Sequence, residues 1–154
     1  MAEKLVIYDS YFGNTCTIAE AIGEELGDAD VKKAADVNPA DLKDCQILFV
    51  GSPTRAFRPS PAVTKFLKGL ERNTLNGVQA AAFDTRFPLE GTDSGFLRFM
   101  IKLFGYAAEK IEKSLSRAGA SIQIKVAGFA VLDSEGPLAE GERERAKIWA
   151  KGIL

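Results

Sequence analysis

The chain of 154 residues contains no histidine. That removes the usual general base and the commonest metal ligand, so histidine triads and histidine-ligated zinc are excluded. Two cysteines, Cys16 and Cys45, give no disulfide framework. No segment approaches the ~20 apolar residues needed to span a bilayer. The N-terminal stretch MAEKLVIYDS has too short an apolar run, and the wrong flanks, for a signal peptide. Together these absences point to a reducing cytoplasm. Neither sign of charge dominates, with 20 lysines and arginines against 21 aspartates and glutamates. No overall field therefore recruits nucleic acid or an anionic membrane, and local basic groups matter more than the total. There is no internal repeat, low-complexity tract or linker.

What is present is ordinary globular material, 46% hydrophobic and 27% charged. The length is near the commonest domain size, so residues 1–154 read as one domain, burying roughly two-thirds of the unfolded surface. The apolar run Leu5–Tyr8 reads as a first strand, and Thr15 to Leu26 as a helix with Ile18, Ala19, Ile22 and Leu26 on one face. Asp30–Val37 reads as a short polar edge strand and Ala40–Lys43 as one helical turn. The continuous run Gln46–Gly51 is of the kind buried on both faces of a parallel sheet. After a Pro-rich loop to Pro61, Ala62–Glu71 is helical and Gly77–Asp84 is a fourth strand. A loop from Thr85 to Asp93 leads to one long helix, Ser94 to Ala118. Ser121–Leu132 supplies a fifth strand with a bend at Gly128, and Glu140–Lys151 a last helix with a core face of Ala146, Trp149, Ala150 and Ile153. Strands alternating with helices predict an α/β fold with a parallel sheet and right-handed crossovers.

In such a sheet, ligands sit outside the carboxyl ends of the strands near the topological switch point. Three strand ends carry unusual residues. The first, Ser10-Tyr11-Phe12-Gly13-Asn14-Thr15, places hydroxyls, an amide and a glycine before a helix N-terminus, whose free amides and dipole favour an anion. The same residues also suit a plain helix cap and turn. The second is Ser52 to Arg58, and the third is Asp84-Thr85-Arg86-Phe87.

The first of these resembles the phosphate-binding loop of the flavodoxin family: a hydroxyl residue, any residue, an aromatic or hydroxyl residue, then Gly-Asn-Thr. The Gly51-Ser52-Pro53-Thr54 turn is similar to the second flavin loop of flavodoxin-like quinone reductases, and element order agrees across essentially the whole chain. The resemblance implies a flavodoxin-like three-layer sandwich, its five-stranded parallel sheet ordered 2-1-3-4-5 with helices on both faces. It also implies non-covalently bound FMN. Ser10, Phe12, Gly13, Asn14 and Thr15, with Tyr11 among them, would hold the phosphate. Pro53, Thr54, Arg55, Ala56 and Phe57 would lie along one side of the ring, and Asp84, Thr85, Arg86 and Phe87 along its other side or pyrimidine edge. The absence of a Gly-x-Gly-x-x-Gly fingerprint favours FMN over FAD or NAD as the resident cofactor.

Many flavodoxins stack the ring between Trp and Tyr in acidic loops. Here those two loops have neither aromatic and carry Arg55, Arg58 and Arg86 instead. A guanidinium near the pyrimidine edge would stabilise an anionic reduced flavin and suit two-electron reductase chemistry. Alternatively the arginines are solvated or pair with Asp84, Glu90 or Asp93. Phe57 and Phe87 are the candidates for ring contact, or else anchor their loops. The Phe87–Gly95 loop could act as a lid. Cys16, in a helix first turn, reads as packing with a reactive thiol as the minor reading, and Cys45 as core. The long helix carries one stripe suited to the sheet (Leu97, Met100, Ile101, Phe104, Ala108, Ile111, Leu115). A second stripe, Phe96, Phe99, Leu103 and Tyr106, suits a homodimer interface, a redox-partner surface or cover by the preceding loop.

The expected function is an FMN-dependent redox protein. It is either an electron carrier for a partner protein or an NAD(P)H-dependent oxidoreductase reducing a small acceptor such as a quinone. The alternative is a cofactor-free interaction domain of the same fold. A third reading is a phosphoacceptor receiver, which shares the strand order; against it, the third strand ends in Gly51-Ser52-Pro53 where an aspartate is needed.

Overall fold

The computed structural model describes residues 3–88 and 94–154, with Phe104 described through its backbone alone. The apolar runs become strands β1 (Lys4–Tyr8), β3 (Ile47–Pro53) and β4 (Gln79–Arg86) at the centre of a sheet whose pairings are all parallel. The polar strand β2 (Ala29–Lys33) pairs with β1 alone and forms one edge. It is shorter than expected, because Ala34–Asp36 turn off as a 3-10 helix before the Asn38-capped turn Pro39–Leu42. The order is β2-β1-β3-β4-β5, with β5 (Ser121–Ile122) and β6 (Ala127–Ala130) lying one after the other along β4. The expected fifth strand is thus split, and its irregular stretch is residues 123–126, not Gly128, which pairs with Asp84.

Helices α1 (Asn14–Leu26) and α5 (Glu142–Lys151) cover one face of the sheet, and α2 (Pro61–Lys68) and α4 (Ala107–Arg117) the other. Alternate strand residues supply the two cores. Leu5, Ile7, Leu48 and Val50 meet Val63, Leu67, Ile111 and Leu115. Val6, Phe49, Phe83 and Phe129 meet Ile18, Ile22, Ala146 and Ala150. This is why the central strands read as continuous apolar runs. Trp149 closes the second core edge-on to Phe49, with ring centroids 5.2 Å apart, and donates its indole N–H to the Lys125 carbonyl at 2.8 Å. Gly51 is small of necessity, since a Cβ there would lie 2.1 Å from Phe83 ring carbons.

The expected long helix is two helices. Gly105, at φ 68°, ends α3 (Gly95–Phe104), and Tyr106 starts α4 as its N-cap. The Glu109 carboxylate accepts the Tyr106 amide at 3.0 Å. Ala108, Ile111 and Leu115 are buried as expected, but none of the described side chains of α3 belongs to either core. Tyr106, expected on the second outer stripe, is buried at 3% exposure. Helix α2 stops at Lys68 before Gly69, short of the expected Glu71. The expected lid falls largely on residues 89–93, outside the described residues, as do Glu90 and Asp93 as arginine partners. Among the described residues no helix is long and apolar enough to cross a membrane.

Both thiols are sheltered. Burial pushes Cys16 above its ordinary value, with the Tyr8 hydroxyl and the Glu20 carboxylate each 3.4 Å from its sulfur. Burial pushes Cys45 up to about 11. Thiolate is the reactive form, so packing is the reading the structure favours for both. With Ellman's reagent at pH 8, Cys16 should react several-fold more slowly than a free thiol, and Cys45 only on unfolding. A fast-reacting Cys16 would restore the nucleophilic reading.

Candidate functional site

Strands β3 and β4 run two residues beyond their expected ends, so Ser52, Pro53, Thr85 and Arg86 sit on strands and not in loops. This carries the second and third segments to the same sheet edge as the loop after β1. A cleft of about 130 Å³ opens there. Its wall includes Ser10, Tyr11, Phe12, Asn14 and Thr15 from the first segment, and Pro53, Thr54 and Arg55 from the second. Thr85, Arg86 and Phe87 come from the third. Gly13, Ala56, Phe57 and Asp84, also expected at the site, support the wall without lining it. A larger, mainly apolar groove of about 620 Å³, with Val37, Leu42, Phe66 and Leu70 among its lining residues, lies between the 34–42 segment and α2, away from these residues.

The loop after β1 does not cap its helix. Gly13 occupies the N-cap position at φ 91°, in the left-handed region, and no side chain bonds to the first turn. The Ser10 hydroxyl instead accepts the Gly13 amide at 2.9 Å, and Asn14 donates to the Glu135 carbonyl at 3.1 Å. Among the described residues, the amides of Asn14, Thr15 and Cys16 have no acceptor. By contrast, Ser60 caps α2, Ser94 caps α3, and Thr54 and Asp84 cap α4. Helix α1 therefore presents a bare N-terminus beside the cleft, with no acidic side chain in its first turn to occupy the field of the dipole. The Thr15 and Thr85 hydroxyls, 2.7 Å apart and buried, tie this loop to β4.

The second segment folds as a two-residue hairpin. Arg55 and Arg58 exchange both backbone hydrogen bonds, at 3.0 and 2.9 Å, across Ala56 and Phe57. Ala56 (φ 50°) and Phe57 (φ 64°) are both left-handed, as a type I′ turn requires, although glycine or asparagine is the usual occupant. Such a conformation costs about 1–2 kcal/mol per residue. It is held from two sides. Lys110 donates to the Phe57 carbonyl at 2.5 Å, and the Arg55 guanidinium lies 5.2 and 5.1 Å from the centroids of the half-exposed Tyr11 and Phe12 rings.

The third segment resolves the arginines. Arg86 makes a bidentate pair with Asp84, Nε to Oδ1 at 2.6 Å and Nη2 to Oδ2 at 2.7 Å, and stacks on the Tyr106 ring at 3.6 Å. Asp84 is fully buried and also accepts the Ala108 amide at 2.9 Å. Burial pushes the Asp84 carboxyl up, with the guanidinium and that amide pulling against it. Burial opposes the Arg86 charge, and the carboxylate outweighs it. Gly128 makes room: a Cβ there would come within 2.2 Å of the guanidinium. Arg86 is thus a fixed, charge-balanced wall, Arg58 lies outside the lining, and among the described residues no carboxylate pairs with Arg55.

A family model described as Flavodoxin matches residues 6–149. The chain belongs to the flavodoxin family. Its fold is similar to a flavodoxin from the domain Archaea, at 23% identity over 97% of this chain and 94% of that one, with a TM-score of 0.74. It is likewise similar to oxidised flavodoxin 2 from Bacillus cereus, at 20% identity over 99% and 97% of the two chains, with a TM-score of 0.77. The rubredoxin oxygen:oxidoreductase of Desulfovibrio gigas is similar in fold at 18% identity and a TM-score of 0.69, with 98% of this chain covered but 35% of that one. A comparison with curated proteins finds no match. Two lining residues, Val131 and Ser134, were not expected from the sequence. The sheet-edge rule reaches them once the fourth neighbouring strand end, after β6, is counted with the other three.

Proposed function

We propose that this chain binds FMN in the cleft and acts as a redox protein, passing electrons to a partner protein or reducing a small acceptor such as a quinone. The observation that carries this reading is the bare N-terminus of α1 beside the cleft, an anion site left open by the loop that could have capped it. The donors suit a phosphate dianion: three free amides, with the Ser10 and Thr15 hydroxyls beside them. FMN supplies the electron chemistry when bound, and the protein supplies position and electrostatics. Tyr11, Phe12 and Phe87, each about half exposed, offer apolar surface for a flavin ring, and Arg55 a cation with no carboxylate partner among the described residues. Because Arg86 is neutralised by Asp84, Arg55 is the arginine positioned to favour an anionic reduced flavin.

The visible spectrum of the purified protein tests the reading. Flavin absorption, or its appearance on adding FMN to colourless protein with a stoichiometric quench of flavin fluorescence, is the expected result. A colourless chain that takes up no FMN would leave the cofactor-free interaction domain in its place.

A further inference from the structure

Helix α3 is apolar at seven of its ten positions, yet none of its described side chains, Phe96 to Leu103, belongs to either core. Phe96, Phe99 and Leu103 are 68%, 58% and 61% exposed. At 3.6 residues per turn they fall within about 60° of arc, and the exposed face continues directly into Lys102 and Arg98. No acid occurs between Ser94 and Phe104. The middle of the chain has the same sign. Residues 54–118 hold eleven of the 20 lysines and arginines but six of the 21 acids, so the nearly neutral total conceals a basic middle segment. That segment supplies α2 and α4, which cover one face of the sheet.

We propose that α3 docks this protein on an anionic lipid surface, Phe96, Phe99 and Leu103 entering the headgroup boundary while Arg98 and Lys102 meet lipid phosphates. The charge pattern argues against a second copy as the occupant. Two α3 faces meeting about a two-fold axis would bring together two Arg98 and two Lys102 with no carboxylate on either helix. Shape argues for lipid over an acidic protein. Three large side chains on a convex helix form a ridge, which a protein must meet with a matching groove and a bilayer interface accepts by deforming. Aromatic and leucine side chains beside basic ones whose stems reach outward are the composition of an interfacial helix. Because α3 leads into Tyr106, which lies under Arg86, docking brings the cleft edge of the sheet toward the membrane, whether or not flavin is bound.

The test is sedimentation of the full chain with vesicles of phosphatidylcholine alone or mixed with phosphatidylglycerol. Binding to the anionic vesicles at about 1 mM lipid, and release by about 0.5 M salt, is expected. Replacing Arg98 and Lys102 together with glutamine should weaken it about thirty-fold, the equivalent of about 1 kcal/mol per cation at such a surface. Phe96→Ser with Phe99→Ser should weaken it roughly a hundredfold. Since Phe96, Arg98, Phe99 and Lys102 are exposed and outside both cores, each variant should keep the parent's melting temperature, which separates lost docking from lost folding. No binding to either vesicle, equal binding by the parent and both variants, or a dimer in solution that the phenylalanine substitutions dissociate would overturn the proposal.

Discussion

Asp84→Ala is expected to lower the stability of the protein by about 3 kcal/mol, reading as a fall of roughly 10 °C in melting temperature. The substitution leaves Arg86, its side chain 16% exposed, against Tyr106 and Gly128 without its carboxylate. It also frees the Ala108 amide at the start of α4. Breaking one partner of a buried pair costs about 3–5 kcal/mol, and the lower end applies because Arg86 keeps some contact with water. Removing both members, as Asp84→Ala with Arg86→Leu, should cost much less than the two single changes together. The neutral pair leaves no buried charge, so a double-mutant cycle reads the coupling directly. Arg86→Leu alone carries its own signature. The Asp84 carboxyl is already raised by burial, and losing the guanidinium raises it further. A carboxyl whose folded value lies above its unfolded one stabilises while protonated, so this variant should weaken as pH rises from about 4. Additive single effects, or a variant indifferent to pH, would mean that the pair is not the clamp its geometry describes.

The architecture was legible because hydrophobic periodicity reports burial on one face or two, and Leu5–Tyr8, Gln46–Gly51 and Gly77–Asp84 each announce a strand buried on both. Boundaries were less so. β4 runs on to Arg86 because Thr85 and Arg86 pair with Phe129 and Ala130, forty-odd residues away, and no local pattern encodes that. The break between α3 and α4 did leave a local trace, since Gly105 before Tyr106 with Glu109 three residues later is a stop followed by a start. The continuous apolar stripes across it masked the signal. At the site, composition supplied the residues but not their pairings. Arg86 and Asp84 are two apart in sequence, so on a strand their side chains share a face, and burial then binds them together. Arg55 pairs with Tyr11 and Phe12 only through the sheet order.

The second large effect separates the phosphate from the rest of the ligand. Ser10→Asp should weaken FMN binding close to a thousandfold while leaving riboflavin, which lacks the phosphate, bound as in the parent. The Ser10 hydroxyl already accepts the Gly13 amide and lines the cleft beside the free first-turn amides of α1, so a carboxylate can take over the bond and lie in the same field. Without ligand, that is an attraction between a negative charge and a helix N-terminus, and the protein should gain about 0.3–1 kcal/mol. With a phosphate competing for the same donors, two negative charges about 4 Å apart repel by about 4 kcal/mol at a surface-like dielectric. Opposite signs for stability and affinity cannot arise from a damaged fold. Fluorescence titration with FMN and with riboflavin, beside a melting curve of the ligand-free protein, reads all three quantities. Equal losses for the two flavins would place the defect at the ring, and unchanged FMN binding would move the phosphate away from α1.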